Sequence, residues 1–346
     1  MKKNIMPLLL AVCMTASSLP VTAMAGDTAE AGQEEMADGE SNGDEPQGEE
    51  PDGEEPEGEE PEGDKPQDGG ASNGLNGEGS EGENGGAETL SIGEQIEAGE
   101  VSVSSIAELE EAVAALNADK ENDNEVTVTI AEGTYEVTGN EKLTIRRKNV
   151  TLKGAGQGKT IIDCGEYSNS GQGGIIIDAD NVTIEDLTVK STSTSGNVAA
   201  IKVTALEAIE GEMRLVKNTV IRNVTVSSDN GHGINLHGTE NAVIDGLTVE
   251  KAGKAGISLA NTVNVTIENT EALSENCSWG SVAMMFAEGE AYKNPVSIVY
   301  GEGNDIDYIY ADERNAEGYE GVNSIHFEAE YSGAIAGDIR EVSVSE

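Results

Sequence analysis

The sequence predicts an all-β solenoid, a chain coiled into stacked parallel turns, and three observations carry that prediction. The phrase Asn149-Val-Thr-Leu returns as Asn181-Val-Thr-Ile, Asn218-Thr-Val-Ile, Asn241-Ala-Val-Ile and Asn264-Val-Thr-Ile, the last three starts being 23 residues apart. A second phrase, Gly174-Ile-Ile-Ile, Ala200-Ile-Lys-Val, Gly233-Ile-Asn-Leu and Gly256-Ile-Ser-Leu, interleaves with the first and keeps the same step between its last two copies. Within each phrase apolar and polar residues alternate, which is the strand period, and no helical period lies between them. Two phrases on one period exclude an alternating strand-helix fold and fit turns built of two or three short strands.

The chain opens with a different kind of segment. Lys2 and Lys3 precede the apolar run Met6–Met14, and Ala23-Met24-Ala25 gives a small-x-small cleavage site. Residues 1–25 therefore read as a secretory signal peptide and the protein as exported, secreted or held at a bacterial surface. No other run approaches the length of a membrane span. Residues 26–100 read as an acidic low-complexity linker. Positions 26–88 hold 23 acidic residues, one Lys and no aromatic residue, so they cannot bury enough apolar surface to offset ordering. A GEEPE-type repeat over 48–67 keeps that piece extended.

The β domain is assigned to 101–346. It carries 40 acidic residues against 17 Lys and Arg, which argues against nucleic acid as a partner. Ser105-Ile-Ala-Glu108 has the spacing of a capping box and predicts a capping helix over about 105–117, with Ile106, Leu109, Val113 and Leu116 on one face. In the rungs that follow, Val182, Ile184, Leu187 and Val189 point inward, and Asp186 marks a bend where that series changes phase. Stacked rungs place like above like, so the Asn phrase becomes an asparagine ladder. Thr188, Thr225 and Thr248 form one outer column, and Glu185, Arg222, Asp245 and Glu268 another. From about 290 the phrases fade, which predicts an atypical C-terminal cap. Cys164 and Cys277 lie about four rungs apart, too far for a disulfide, and a monomer is expected.

Val126–Ile130, Glu132-Gly-Thr-Tyr135, Leu143-Thr-Ile145, Asn149–Gly156 and Thr160-Ile-Ile-Asp163 resemble the opening turns of the pectate-lyase-like superfamily of right-handed parallel β-helices. That resemblance covers about residues 101–290. It implies a polysaccharide groove along the outside of one parallel sheet, in a superfamily that holds lyases, hydrolases, esterases, epimerases and non-catalytic adhesins.

Aligning the Gly-Ile phrases gives the outer columns of that sheet. One column is Ile176, Lys202, Asn235 and Ser258, followed by Met285; its neighbour is Asp178, Thr204, His237 and Ala260. The turns before them bring Asp229, Asn230 and His232, then Lys254, then Trp279. Here alone His, Lys, Asp and Asn converge. His232 and His237 are expected to titrate near neutral pH and to serve with Lys202 and Lys254 as candidate acid–base residues. Asn235, Ser258, Asn230 and Trp279 are candidate sugar contacts, and Asp178 and Asp229 candidate calcium ligands.

Gly231-His232-Gly233-Ile234 resembles a phrase of polygalacturonase-type hydrolases, but the pair of facing carboxyl groups that glycoside hydrolysis needs is not found beside it. A pectate-lyase-like mechanism would take calcium at Asp178 and Asp229 and a base from Lys202 or Lys254. The expected function is contact with a polysaccharide, uronate-containing in the enzymatic alternative, by a carbohydrate-binding or adhesion module. The alternative is a uronate-polysaccharide lyase, hydrolase or epimerase.

Overall fold

The computed structural model describes residues 90–346 except 138–142, 167–172, 195–197, 207, 210–211, 286–293, 313–321, 338, 340 and 345–346. The expected signal peptide and most of the acidic linker lie outside the described residues.

Folded structure reaches further toward the N-terminus than residue 101. Helix α1 (Ile92–Ala98) starts at Ser91, whose hydroxyl accepts from the Glu94 N–H while the Glu94 carboxylate accepts the Ser91 N–H. It stops at Gly99, in the left-handed conformation at φ 85°. The strand Glu100–Val103 then pairs with Val126–Ile130. Residues 92–100, assigned to the linker from composition, belong instead to the domain. Their signal is Ser91-x-x-Glu94, the same spacing as Ser105-x-x-Glu108.

Helix α2 (Ile106–Ala118) is the expected cap, with Leu109, Ala112, Val113 and Leu116 buried. Ser105 accepts from the Glu108 N–H, but the Glu108 carboxylate turns to the N–H and hydroxyl of Ser104 rather than closing the box on Ser105.

Past the helices the chain coils as predicted. One sheet stacks Val126–Ile130, Val150–Lys153, Val182–Ser191, Val220–Ser228, Val243–Ala252 and Val265–Glu268, all parallel. The second stacks Leu143–Ile145, Gly173–Ile177, Ala199–Val203, His232–Glu240, Ile257–Val263 and Val282–Met284. The strands of the first sheet bend where predicted: Asp186 has φ 58°, and Asn223, Gly246 and Asn269 at equivalent points are also left-handed. Asn is among the few residues that tolerate this conformation.

The asparagine ladder forms at the corner between the sheets. Asn149, Asn181, Asn218, Asn241 and Asn264 all have φ between 56° and 60°. Asn181 Nδ2 donates to Asn149 Oδ1, Asn218 Nδ2 to Asn181 Oδ1 and Asn264 Nδ2 to Asn241 Oδ1, at 2.7–2.8 Å. The charged column is present as well, Arg222 lying 3.3 Å from Asp245 and 3.8 Å from Glu185. Thr188 and Thr225 are buried rather than open to solvent, because the loop after Lys153 crosses them and Gly158 N–H donates to Thr188 Oγ1.

The C-terminal part is not a separate cap. Ser297–Tyr300, Ser324–Phe327 and Glu341–Val344 extend the first sheet in parallel, and Tyr308–Ala311 and Ala334–Gly337 extend the second. The Asn and Gly phrases disappear there, but strand pairing is a backbone property and survives while inward positions stay apolar. Ile298, Tyr300, Ile325 and Phe327 meet that condition, with Tyr300 and Phe327 rings 5.3 Å apart. Cys164 and Cys277 are buried and unlinked.

Candidate functional site

The register of the second sheet fixes which outer residues share a column. Ile176, Lys202, Asn235 and Ser258 are successive partners, as expected, but the next are Ala283 and Tyr310. Met285 belongs to the neighbouring column, its N–H bonding to Leu259 just as Thr204 N–H bonds to Ile177. The short turn Ser274–Asn276 lengthens that rung, so the step from Ser258 to Ala283 no longer follows the earlier period.

This face is more covered than a solvated strand face would be. Ser258 is 3% exposed, and Thr204, Ala260 and Ala283 are also buried. His232, placed from sequence in the turn before this sheet, is only 6% exposed, and Nδ1 of its ring accepts the Ala255 N–H at 3.3 Å. In a neutral ring with Nδ1 accepting, Nε2 carries the proton.

The glycines of Gly231-His232-Gly233 are explained by packing. A Cβ on Gly231 would lie 2.1 Å from the Val198 carbonyl oxygen, and one on Gly233 2.6 Å from that of Gly256. The two glycines of the hydrolase-like phrase are therefore required by rung stacking.

Lys202, His232 and His237 do come together, since the Lys202 charge acts on both imidazoles. Burial holds His232 down at about 3, aided by the charges of Lys254 and Lys202, and His237 at about 4, aided by Lys202. Titration near neutral pH, expected from the residue type, gives way to two neutral imidazoles because desolvation penalises their charged form. Burial likewise brings Lys202 down to about 8.

The two candidate calcium ligands are engaged elsewhere. Arg214 Nη2 donates to Asp178 Oδ1 at 2.7 Å and its Nη1 to Asp180 Oδ1 at 3.2 Å. Asp229 pairs with Lys251 Nζ at 2.8 Å. Among the described residues no three His, Cys, Asp or Glu side chains are grouped to hold a metal ion. Arg214 sits at the end of the insertion that stretches one Asn step to 37 residues, and that irregular step was the available signal.

The most accessible part of the cluster is the corner that leads into the second sheet. Lys254 N–H donates to the Gly231 carbonyl and Trp279 N–H to the Lys254 carbonyl, so these three residues stack rung upon rung. As a result Lys254 Nζ lies 4.4 Å from the centre of the Trp279 ring. His232 meets the same ring at a centroid distance of 5.6 Å and an angle of 81°. Trp279 is 44% exposed, and Asn230, two rungs earlier in the same corner, is exposed as well. Asn230 Nδ2 donates to the Ser193 carbonyl at 2.6 Å, which ties it to the previous rung.

A family model described as a right handed beta helix region matches residues 149–297. The chain carries a right-handed β-helix. The resemblance of its opening turns to the pectate-lyase-like superfamily is thus borne out at the level of the fold. Similar solved structures of the β-helix include a pectin methylesterase from Yersinia enterocolitica, at 13% identity over 66% of this chain and 80% of that one, TM-score 0.36. An alginate lyase from Paenibacillus sp. shares 14% identity over 71% of this chain and 94% of that one, TM-score 0.36. A surface adhesin of Streptococcus pneumoniae shares 14% over 66% and 80%, TM-score 0.34. No curated protein matches this sequence. No helix among the described residues of the β-helix is long and apolar enough to cross a membrane.

Proposed function

We propose that this β-helix is an exported polysaccharide-binding or adhesion module, displayed on its acidic N-terminal segment, and that sugars contact the corner formed by Asn230, Lys254 and Trp279. The observation that carries the reading is Trp279: a large aromatic ring kept half-exposed, held from the buried side by His232 and adjoined by a lysine. An indole fixed in this way offers a flat apolar surface to a sugar ring, with its N–H free to face a polar partner. Lys202, Asn235 and His237 continue the contact along the neighbouring strands.

The test is a glycan array with the wild type and Trp279→Ala. Binding lost in the variant at unchanged melting temperature supports the reading; equal binding by both places the site elsewhere. The export part is checked by mass spectrometry of the mature N-terminus, expected at Gly26.

One observation favours an enzymatic reading, namely the Lys202 amine, brought down to about 8 by burial and so the strongest base of this cluster that can lose its proton near neutral pH. Incubation of any array hit with the protein, with and without calcium, distinguishes the two. Unsaturated uronate products absorbing in the ultraviolet would establish a lyase.

A further inference from the structure

We propose that the asparagine ladder ends in a second binding site, a hollow on the outer face of the first sheet that takes the acetamido group of an N-acetylated amino sugar. This site is separate from the Trp279 corner and does not depend on the reading given for it.

The ladder has a direction. The side-chain carbonyls of Asn149, Asn181 and Asn241 each accept the amide of the following asparagine rung. After Asn264 the next rung presents Ser297 instead, and Ser324 stands one rung beyond. Asn264 keeps the conformation of the earlier copies, at φ 58°, and its Nδ2 is used on Asn241, so its Oδ1 is aimed at the serine rung. No described residue donates to that oxygen. It is the last acceptor of the ladder, and the chain supplies no further amide to fill it.

A serine reaches less far than an asparagine, and the missing side-chain volume leaves a hollow of about 320 Å³. Asn264, Ser297, Val299, Ser324 and His326 line it. Ser297 Oγ accepts the Asn264 N–H at 2.7 Å, which leaves its own proton to donate. Ser324 adds a second, half-buried hydroxyl, and Val299, also half-buried, gives an apolar patch beside them.

These groups match one ligand group. A trans secondary amide carries its N–H and C=O on opposite edges. Its N–H meets Asn264 Oδ1, its oxygen accepts from the serine hydroxyls of the following rungs, and the acetyl methyl rests on Val299. The ligand thereby adds the amide that the sequence omits. It carries no charge, which suits a domain with 40 acidic residues against 17 basic. A small, open pocket of this kind gives weak affinity for one sugar unit, with a dissociation constant on the order of 1–10 mM.

Saturation-transfer NMR on the full chain reads binding at that strength. N-acetylglucosamine should show transfer, strongest at its acetyl methyl, while glucose should show none. Ser324→Ala is expected to weaken binding about 3- to 10-fold. Ser324→Leu, an outward substitution that fills the hollow, should abolish it at unchanged melting temperature. Trp279, the only tryptophan, lies at the opposite corner, so its fluorescence should not respond to N-acetylglucosamine. Quenching with the same concentration dependence would put the sugar at that corner and overturn the proposal. Transfer that persists in Ser324→Leu, or that glucose matches, would overturn it as well. Equal transfer to glutamine, a primary amide, would make the hollow a peptide site and not a sugar site.

Discussion

Two corners of the same solenoid behave in opposite ways. At the asparagine corner five rungs repeat the same residue in the same left-handed conformation, and three of the side-chain amides donate to the asparagine of the rung before. At the opposite end of the second sheet's strands, successive rungs present Gly231, Lys254 and Trp279, three residues with nothing in common. A ladder gains from sameness, because identical groups stacked at strand spacing satisfy one another. Recognition gains from difference, because a ligand lying across rungs meets a distinct group at each. Repetition in this chain therefore marks stability, and its local failure marks the candidate site.

The comparison is most severely tested at Gly231, where the variable corner touches the core. Gly231→Ala forces a methyl group against the Val198 carbonyl and is expected to destabilise by about 2–4 kcal/mol, measured by urea unfolding. Next comes the ladder itself. Asn181→Ala loses a tolerated left-handed residue and leaves two neighbouring ladder amides short of a partner, at about 2–3 kcal/mol. Trp279→Ala, by contrast, should cost about 1 kcal/mol or less, since the ring is half-exposed. If the two substitutions cost the same, the division between a stabilising corner and a recognising corner fails.

A pH experiment gives a comparable effect on the buried imidazoles. Both His232 and His237 have folded values depressed below the unfolded value of about 6.5. The unfolded chain therefore binds more protons between that value and about 4 for His237, or about 3 for His232. Their contribution is fully present above pH 6.5 and is lost as the pH falls through that window. Because many carboxylates titrate nearby, the readout is the difference between wild type and the His232→Gln/His237→Gln double variant. The wild type should lose on the order of 5 kcal/mol more than the variant between pH 7 and pH 4, since each imidazole resists protonation over about two pH units. Parallel curves would mean that the imidazoles are not desolvated. The smallest effect is expected at Lys251→Ala, which breaks the exposed pair with Asp229 and should change stability by about 0.5 kcal/mol or less.

Most of the coil could be read in the sequence because a few residues carry unambiguous conformational meaning. Asn at the phrase starts and Asp186 at the bend tolerate a backbone that most residues avoid, and alternation does the rest. Residues 92–100 were missed because an acidic composition outweighed the short cue at Ser91 and Glu94. The site was legible as a neighbourhood, since strand register follows from the phrases. Its chemistry was less so. Whether His232 and Ser258 face water depends on what packs above them, and periodicity along the chain is silent on that. The Asp178–Arg214 pair was invisible for a related reason: the insertion carrying Arg214 obeys no repeat.

The stacking described above also bears on how such a chain reaches its folded state. Ladder hydrogen bonds join residues 23 to 37 positions apart, and that separation is set by the rung, not by the length of the domain. Adding rungs lengthens the protein without lengthening its loops. The loop-closure cost is thus met in equal instalments, one turn at a time, rather than in a single search across the chain. Each completed turn offers a ready strand edge to the next. Folding of this domain should accordingly run as a zipper, propagating turn by turn at a rate that depends on the slowest turn.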